Sequence, residues 1–329
     1  MQRIKKFLKN KTFLFPLILF IIIILANFGM QYTNLGPEKF EKRFMFLLDN
    51  NIRGFLPLIF LSIAQAIVLI NGSIDLSIGN LMGVVAAFLV TQYTIEDGID
   101  RFLLVFLMSL GIGLLAGALN GFFVSIIRIP PFITTYATSF IFSGVAMWIL
   151  PRPGGMMPEI VTTFYRKTLP LGVPLGVWII LFLFLVWWMF RNTRFGAHMY
   201  AIGGNEKAAY ASGVSVIRHR IIVHMLAGFI AAFAALALVL ITGSSDPRIG
   251  GTMTLDSIVS VVLGGTPMTG GIGGVIGPVF GVMILGFIRN IVGFADVNTW
   301  VQPLVDALII LMALASPSFI RSIMKQVRK

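Results

Sequence analysis

Long apolar runs separated by short polar stretches dominate the chain. Ten stand out, at residues 13–28, 54–70, 77–90, 102–127, 132–150, 173–190, 221–241, 254–264, 272–290 and 300–315. A helix needs about 20 mostly apolar residues to cross a bilayer, because lipid offers no partner to backbone N–H and C=O groups. The pattern predicts an all-α polytopic membrane protein with about ten transmembrane helices. The third and eighth runs are too short to span alone and read as short or broken helices. Basic residues precede the first run, but no small-residue cleavage site follows Phe28, so an anchored first helix is expected.

Composition agrees with this pattern. Of 329 residues, 57% are hydrophobic and only 12% charged, and mean hydropathy is +0.93. Soluble domains carry about 25% charged residues, so a soluble enzyme, a nucleic-acid binder and a disordered protein are excluded. There is no cysteine, hence no disulfide framework, thiol nucleophile or cysteine-based zinc site.

The net charge of +12 is explained by where the charges lie. With the N-terminus inside, the inner segments 1–11, 128–131, 191–220 and 316–329 hold fifteen basic residues against one acid, Glu206. The outer loops 29–53, 91–101, 151–172, 242–253 and 291–299 hold nine of each sign. Basic residues collect on the cytoplasmic side, so both termini are expected there, and the charge meets anionic lipid rather than nucleic acid. Three acids fall within or beside apolar runs: Asp75, Asp256 and Asp306. Each is either a helix cap or a functional group, the default reading for an acid in a membrane.

Two stretches repeat one another. Gly72-Ser73-Ile74-Asp75-Leu76-Ser77-Ile78-Gly79 follows the second run, and Gly243-Ser244-Ser245-Asp246-Pro247-Arg248-Ile249-Gly250 follows the seventh. Glycines at 113, 117 and 121 are answered by glycines at 273, 277 and 281, a spacing that also serves plain helix packing. The second run travels inward and the seventh outward, so residues 54–150 and 221–315 read as two inverted-topology repeats, a transporter signature. Segment 264–281, with eight glycines and two prolines, should be kinked or re-entrant. Residues 1–53 precede the first repeat, 151–190 hold an outer loop and the sixth run, and 316–329 form a basic tail.

Residues 191–220 form one large polar loop between the repeats. Asn205 can cap a short helix over 206–212 that Gly213 ends. Such a helix either rests on the headgroups or docks a partner. Its sequence, Glu206-Lys-Ala-Ala-Tyr-Ala-Ser-Gly213, resembles the coupling motif of ABC-importer permeases, with one extra residue before the alanine pair. Together with Tyr200–Ala209, Asn71–Gly79 and Arg128-Ile-Pro-Pro-Phe132, it resembles the ribose/xylose/autoinducer-2 permease family over roughly residues 54–315. Asn71 stands where a glycine is usual, and Pro247-Arg248 breaks the second copy of the repeat motif.

That resemblance implies a multi-pass permease of the bacterial cytoplasmic (inner) membrane. It implies two permease subunits, identical or paralogous, two cytoplasmic ATPase subunits that bind ATP and Mg, and an extracytoplasmic substrate-binding protein. This chain should hold no cofactor, and it lacks the G-x-x-x-x-G-K-[ST] phosphate loop. ATPase coupling is expected at Asn205, Glu206, Lys207, Ala208, Ala209 and Gly213. The substrate pathway is expected at Asn71, Ser73, Asp75, Asn120, Ser244, Asp246 and Asp256, polar groups beside apolar helix ends that sugar hydroxyls could pair with. Among the outer arginines Arg43, Arg53, Arg152, Arg166 and Arg248, docking of the binding protein is expected chiefly at Arg152 and Arg248.

Two rival readings remain. An ion-coupled secondary transporter would use Asp75, Asp256 and Asp306. A membrane enzyme finds little support: His198, His219 and His224 form no H-E-x-x-H pattern, no G-x-S-x-G elbow occurs, and His219 and His224 read as interfacial anchors.

Overall fold

The computed structural model describes residues 11–94 and 97–295, with residues 301, 304, 307, 308 and 311. The described residues form helices α1 (Lys11–Leu35), α2 (Pro37–Ile70), α3 (Ile78–Thr91), α4 (Ile99–Ser125), α5 (Pro131–Ile149), α6 (Glu159–Lys167), α7 (Leu175–Arg191), α8 (Arg194–Gly204), α9 (Glu206–Ala211), α10 (Val216–Thr242), α11 (Gly250–Leu263) and α12 (Ile276–Phe294). Nine of the ten apolar runs carry a helix. Most of the tenth, Asp306 included, lies outside the described residues.

Among the described residues six helices are long and apolar enough to cross a membrane: α1, α2, α4, α5, α10 and α12. The pair α7 and α8, bent by 78°, makes up to seven. Helices α3 and α11 are both shorter, at 14 residues each.

The expected outer loop at 29–53 is helical instead. Helix α1 runs on to Leu35, Gly36 turns the chain at φ 76°, and Pro37 opens α2 at its first position. Proline suits that place because the first helical N–H has no intrahelical partner. Similarly, the expected outer loop at 151–172 contains the short helix α6. Of the expected kinked segment 264–281, residues 264–275 with Pro267 are non-helical, whereas 276–281 with Pro278 already form the start of α12.

Helix α2 is the central strut, buried almost without interruption from Leu56 to Ile70. Helix α10 lays a face of small residues (Ala227, Gly228, Ala231, Ala235) against its neighbours. There Gly113 of α4 meets the Gly228 backbone, Gly117 meets that of His224, and Gly121 meets Ile221. Small residues permit this approach, which drives helix association where lipid removes the hydrophobic contrast.

The second glycine series does not match the first in place. Gly273 lies outside α12 with φ 123°, while Gly277 and Gly281 pack on Gly264 and Ser260 at the end of α11. Equal spacing alone carries no information about which helix is met.

The octapeptide copies, by contrast, fold alike. Gly72 and Gly243 both adopt left-handed conformations, at φ 79° and 76°. Asp75 Oδ1 accepts from the Ser77 amide at 2.8 Å, and Asp246 Oδ1 from the Arg248 amide at 2.9 Å. Each turn leads into a 14-residue helix. The starts of these helices meet: the Gly79 amide donates to Thr254 Oγ1 at 3.1 Å, and a side chain on either Gly79 or Gly250 would overlap the other's backbone.

Candidate functional site

The expected site residues fall into four places. The first is a buried polar network at the break between α2 and α3. The Asp75 carboxylate accepts from the Ser77 amide and, at 2.6 Å, from the Ser77 hydroxyl. Its Oδ2 lies 3.3 Å from Nδ1 of His224 on α10. Asn120 of α4 donates to Ser77 Oγ at 2.7 Å and reaches Asp75 Oδ2 at 3.5 Å. Thr138 of α5 then donates to Asn120 Oδ1 at 2.8 Å. Three helices and the break thus converge on one network around this carboxylate. Sequence reasoning found Asp75 and Asn120 but placed His224 at the interface; it is fully buried. The missed signal was periodicity, since His224 shares a helical face with Ala227, Ala231 and Ala235.

Asn71 and Ser73 flank this network. Both are buried, and among the described residues the Asn71 amide atoms and the Ser73 hydroxyl have no hydrogen-bond partner. Buried polar groups are ordinarily bonded, so these two stand ready for a partner.

The second place is a glycine joint one turn away. Gly203 and Gly204, at the end of α8, lie against Ile70, Gly72, Gly270 and Gly271. The Gly271 amide donates to the Ile70 carbonyl at 2.9 Å. No side chain separates these three backbone segments, and the sequence reading did not single out Gly203.

Directly after the joint comes α9. Asn205 caps it, its Oδ1 accepting from the Ala208 amide at 3.0 Å, and Gly213 follows at φ 85°. Glu206 pairs with Arg220 at 2.8 Å. Ala209 is buried against Ile202 and Val216, whereas Lys207 and Ala208 differ in role, the first exposed and the second holding the cap. A cavity of about 1080 Å³ opens beside this helix. Gly72, Ser125, Arg128, Asn205, Lys207 and Arg220 line it, so the expected coupling residues and the first break share one space.

The third place is the opposite end of the fold. Gly154 and Ser245 bond each other's backbones at 3.0 and 2.9 Å, which brings the exposed Arg152 and Arg248 loops together. Ser244 and Asp246 lie here, partly exposed, and neither bonds to the Asp75 network. Arg53 is not available to a partner. It is buried, pairs with Asp49 at 2.6 Å, donates to the Tyr165 carbonyl and lies over the Tyr165 ring. Burial also pushes the Tyr165 phenol above its ordinary pKa, against the pull of the Arg53 cation.

The fourth is Asp256. Its two oxygens accept from Arg289 at 2.9 Å each, a bidentate pair. This commits the carboxylate to α12 and removes Asp256 from the residues open to substrate in this conformation. Of the three acids proposed for ion coupling, Asp75 and Asp256 are thus both paired, and Asp306 lies outside the described residues.

Comparison with known proteins identifies the family. The family model described as "Branched-chain amino acid transport system / permease component" matches residues 47–314. The chain is 34% identical to the ribose import permease protein of Escherichia coli (strain K12) over 258 residues, 77% of this chain and 79% of that protein. It is 31% identical to the ribose import permease protein of Bacillus subtilis (strain 168), with the same coverage. Against the fructose import permease protein of Rhizobium meliloti it is 29% identical over 334 residues, 98% of this chain and 90% of that protein. No solved structure matches. The chain therefore belongs to this transport-permease family, as an ABC permease of the ribose type and not an enzyme.

Proposed function

We propose that this chain is the membrane-spanning subunit of an ATP-driven importer for a monosaccharide or a similar small polyhydroxylated solute. ATPase subunits take hold at α9, a binding protein delivers solute at the Arg152–Arg248 rim, and a second permease copy or paralogue completes the pathway. The names of its relatives, which import ribose, fructose and galactose, support the substrate class.

The observation that carries this reading is the glycine joint beside α9. Residues 203–204 run straight into that helix and touch both the first break at 70–72 and the second-half turn at 270–271. A push on α9 reaches both halves through backbone alone. The like folding of the two octapeptides supports two inverted repeats, 54–150 and 221–315, that rock against each other around the meeting point of Gly79 and Gly250. Basic residues crowd the α9 end, which supports a cytoplasmic orientation for it and for both termini.

On this reading Asn71 and Ser73 contact sugar hydroxyls when the break opens, since they are the expected pathway residues left unpaired. Asp75 and Asn120 hold the break, Asp246 braces the turn before α11 as Asp75 braces the turn before α3, and Ser244 lies at the outer entrance.

The test is uptake of labelled ribose, fructose and galactose by the complex purified from its native membrane and reconstituted in liposomes. Uptake that requires ATP hydrolysis and ignores an uncoupler supports the proposal. Uptake that collapses with the uncoupler and ignores ATP would transfer the case to an ion-coupled transporter.

A further inference from the structure

The two octapeptide copies provide an internal control for the Asp75 network. Asp246 makes the same turn with one backbone amide and stays partly exposed. Asp75 makes that turn too, yet is buried and carries His224, Asn120 and, through Asn120, Thr138 as well. The turn does not need these extra partners. An acid in a membrane segment is costly to keep, so the added shell calls for a separate reason.

Its placement supplies one. Asp75 lies three residues beyond Gly72, which lines the large cavity beside α9. His224 comes from α10, in the other half of the chain, and its backbone is pressed against Gly117. The ring is therefore held between α4 and the break, with one nitrogen on Asp75 and the other, Nε2, buried without a partner. The Asn71 amide, the Ser73 hydroxyl and His224 Nε2 are each buried with no hydrogen-bond partner among the described residues. Such atoms are expected where a second state satisfies them with water or solute.

We propose that Asp75 and His224 form the latch of a gate at the inner end of the pathway, holding the first break against α10 between transport events. Opening parts the pair and turns Asn71, Ser73 and His224 Nε2 toward the cavity. His224 is thus a positioning residue, acting through the break. The proposal rests on the reading of the break as part of the pathway, and its test separates the two.

The natural chain has no cysteine, so a single thiol reports without background. Thr135→Cys places it at a fully buried position against the Ile74 carbonyl of the break and replaces none of the bonds among Asp75, Ser77, Asn120 and His224. Reaction with N-ethylmaleimide is then followed in the purified, reconstituted complex. Without nucleotide, labelling is slow; with Mg-ATP and the co-purified binding protein it rises at least about tenfold. Adding His224→Gln speeds labelling without nucleotide by about tenfold, as expected for one lost charge-assisted hydrogen bond. Ser109→Cys, buried in α4 and bonded to the Phe106 carbonyl, stays slow throughout and excludes general loosening. Ser77→Cys, also fully buried, serves as reporter if Thr135→Cys fails to assemble. Labelling as slow during ATP-driven uptake as at rest overturns the latch and leaves the importer standing. Uptake independent of ATP in the unaltered complex overturns the importer.

Discussion

Replacing Gly203 by alanine tests the mechanical role of the glycine joint. The added methyl would overlap the Ile70 carbonyl oxygen and stand 2.6 Å from the Gly271 amide nitrogen. Ordinary contact needs about 3.5 Å, so one segment must move by roughly 1 Å or more. The obstructing atoms are backbone and are bonded to each other at 2.9 Å, so no side-chain rotation can relieve the clash. Overpacking of this kind costs about 1–3 kcal/mol, and the rigid surroundings favour the upper half of that range. The displacement falls on α8 and passes to α9, two residues on. The neighbouring Gly204 is the control, since a methyl there meets nothing within 4 Å. In reconstituted complexes, Gly203→Ala should keep ATP hydrolysis and reduce solute moved per ATP by about tenfold, with a lower thermal midpoint for the permease. Gly204→Ala should match the natural chain in both. Equal coupling and equal midpoints for the two variants would refute the joint as the route between α9 and the break.

Three further outcomes follow from the same geometry. Ala209→Glu puts a carboxylate into the contact with Ile202 and Val216; a six-residue helix cannot hold an unpaired buried charge, so uptake should fall at least about tenfold while membrane level stays normal, and normal uptake would remove α9 as the docking element. Asp256→Asn leaves Arg289 without its bidentate carboxylate; with Arg289 37% exposed, the loss should be about 1–2 kcal/mol rather than the full cost of a buried broken pair, read as a lower unfolding midpoint with substrate preference unchanged. Arg152→Glu and Arg248→Glu should each raise the binding-protein concentration for half-maximal ATPase stimulation by about two- to fivefold, the range for an exposed ion pair; an unchanged value for both would clear the rim of a docking role.

What the sequence disclosed and what it withheld divide along the range of the interactions. The cap at Asn205 and the stop at Gly213 rest on chemistry within a few residues, and both are present as read. The repeat of the two octapeptides was legible only as a likeness, which the fold shows to be a pair of aspartate turns. The burial of His224 is set by α4 and the first break, whereas its nearest neighbours in sequence, Arg218, His219 and Arg220, suggest a water-facing surface. Arg53 was misplaced for the same reason, because Tyr165, 112 residues on, closes over it beyond its local pair with Asp49. The glycines were visible as a spacing, but only the fold shows that one series meets α10 and the other the end of α11. Gly203 is one of 34 glycines, and only its three backbone neighbours distinguish it.

The partners of the first break have a consequence for biosynthesis. His224 lies 149 residues after Asp75, and Thr254 lies 175 residues after Gly79. At about 5–20 residues per second, roughly 7 to 30 s pass between synthesis of the acid and of its histidine. During that interval a helix of 14 residues, too short to span alone, and an uncompensated carboxylate have no place in lipid. The segment from Asn71 to Thr91 must therefore wait in the insertion machinery until the second half emerges, and a nascent chain halted after α4 should keep Asp75 within reach of water.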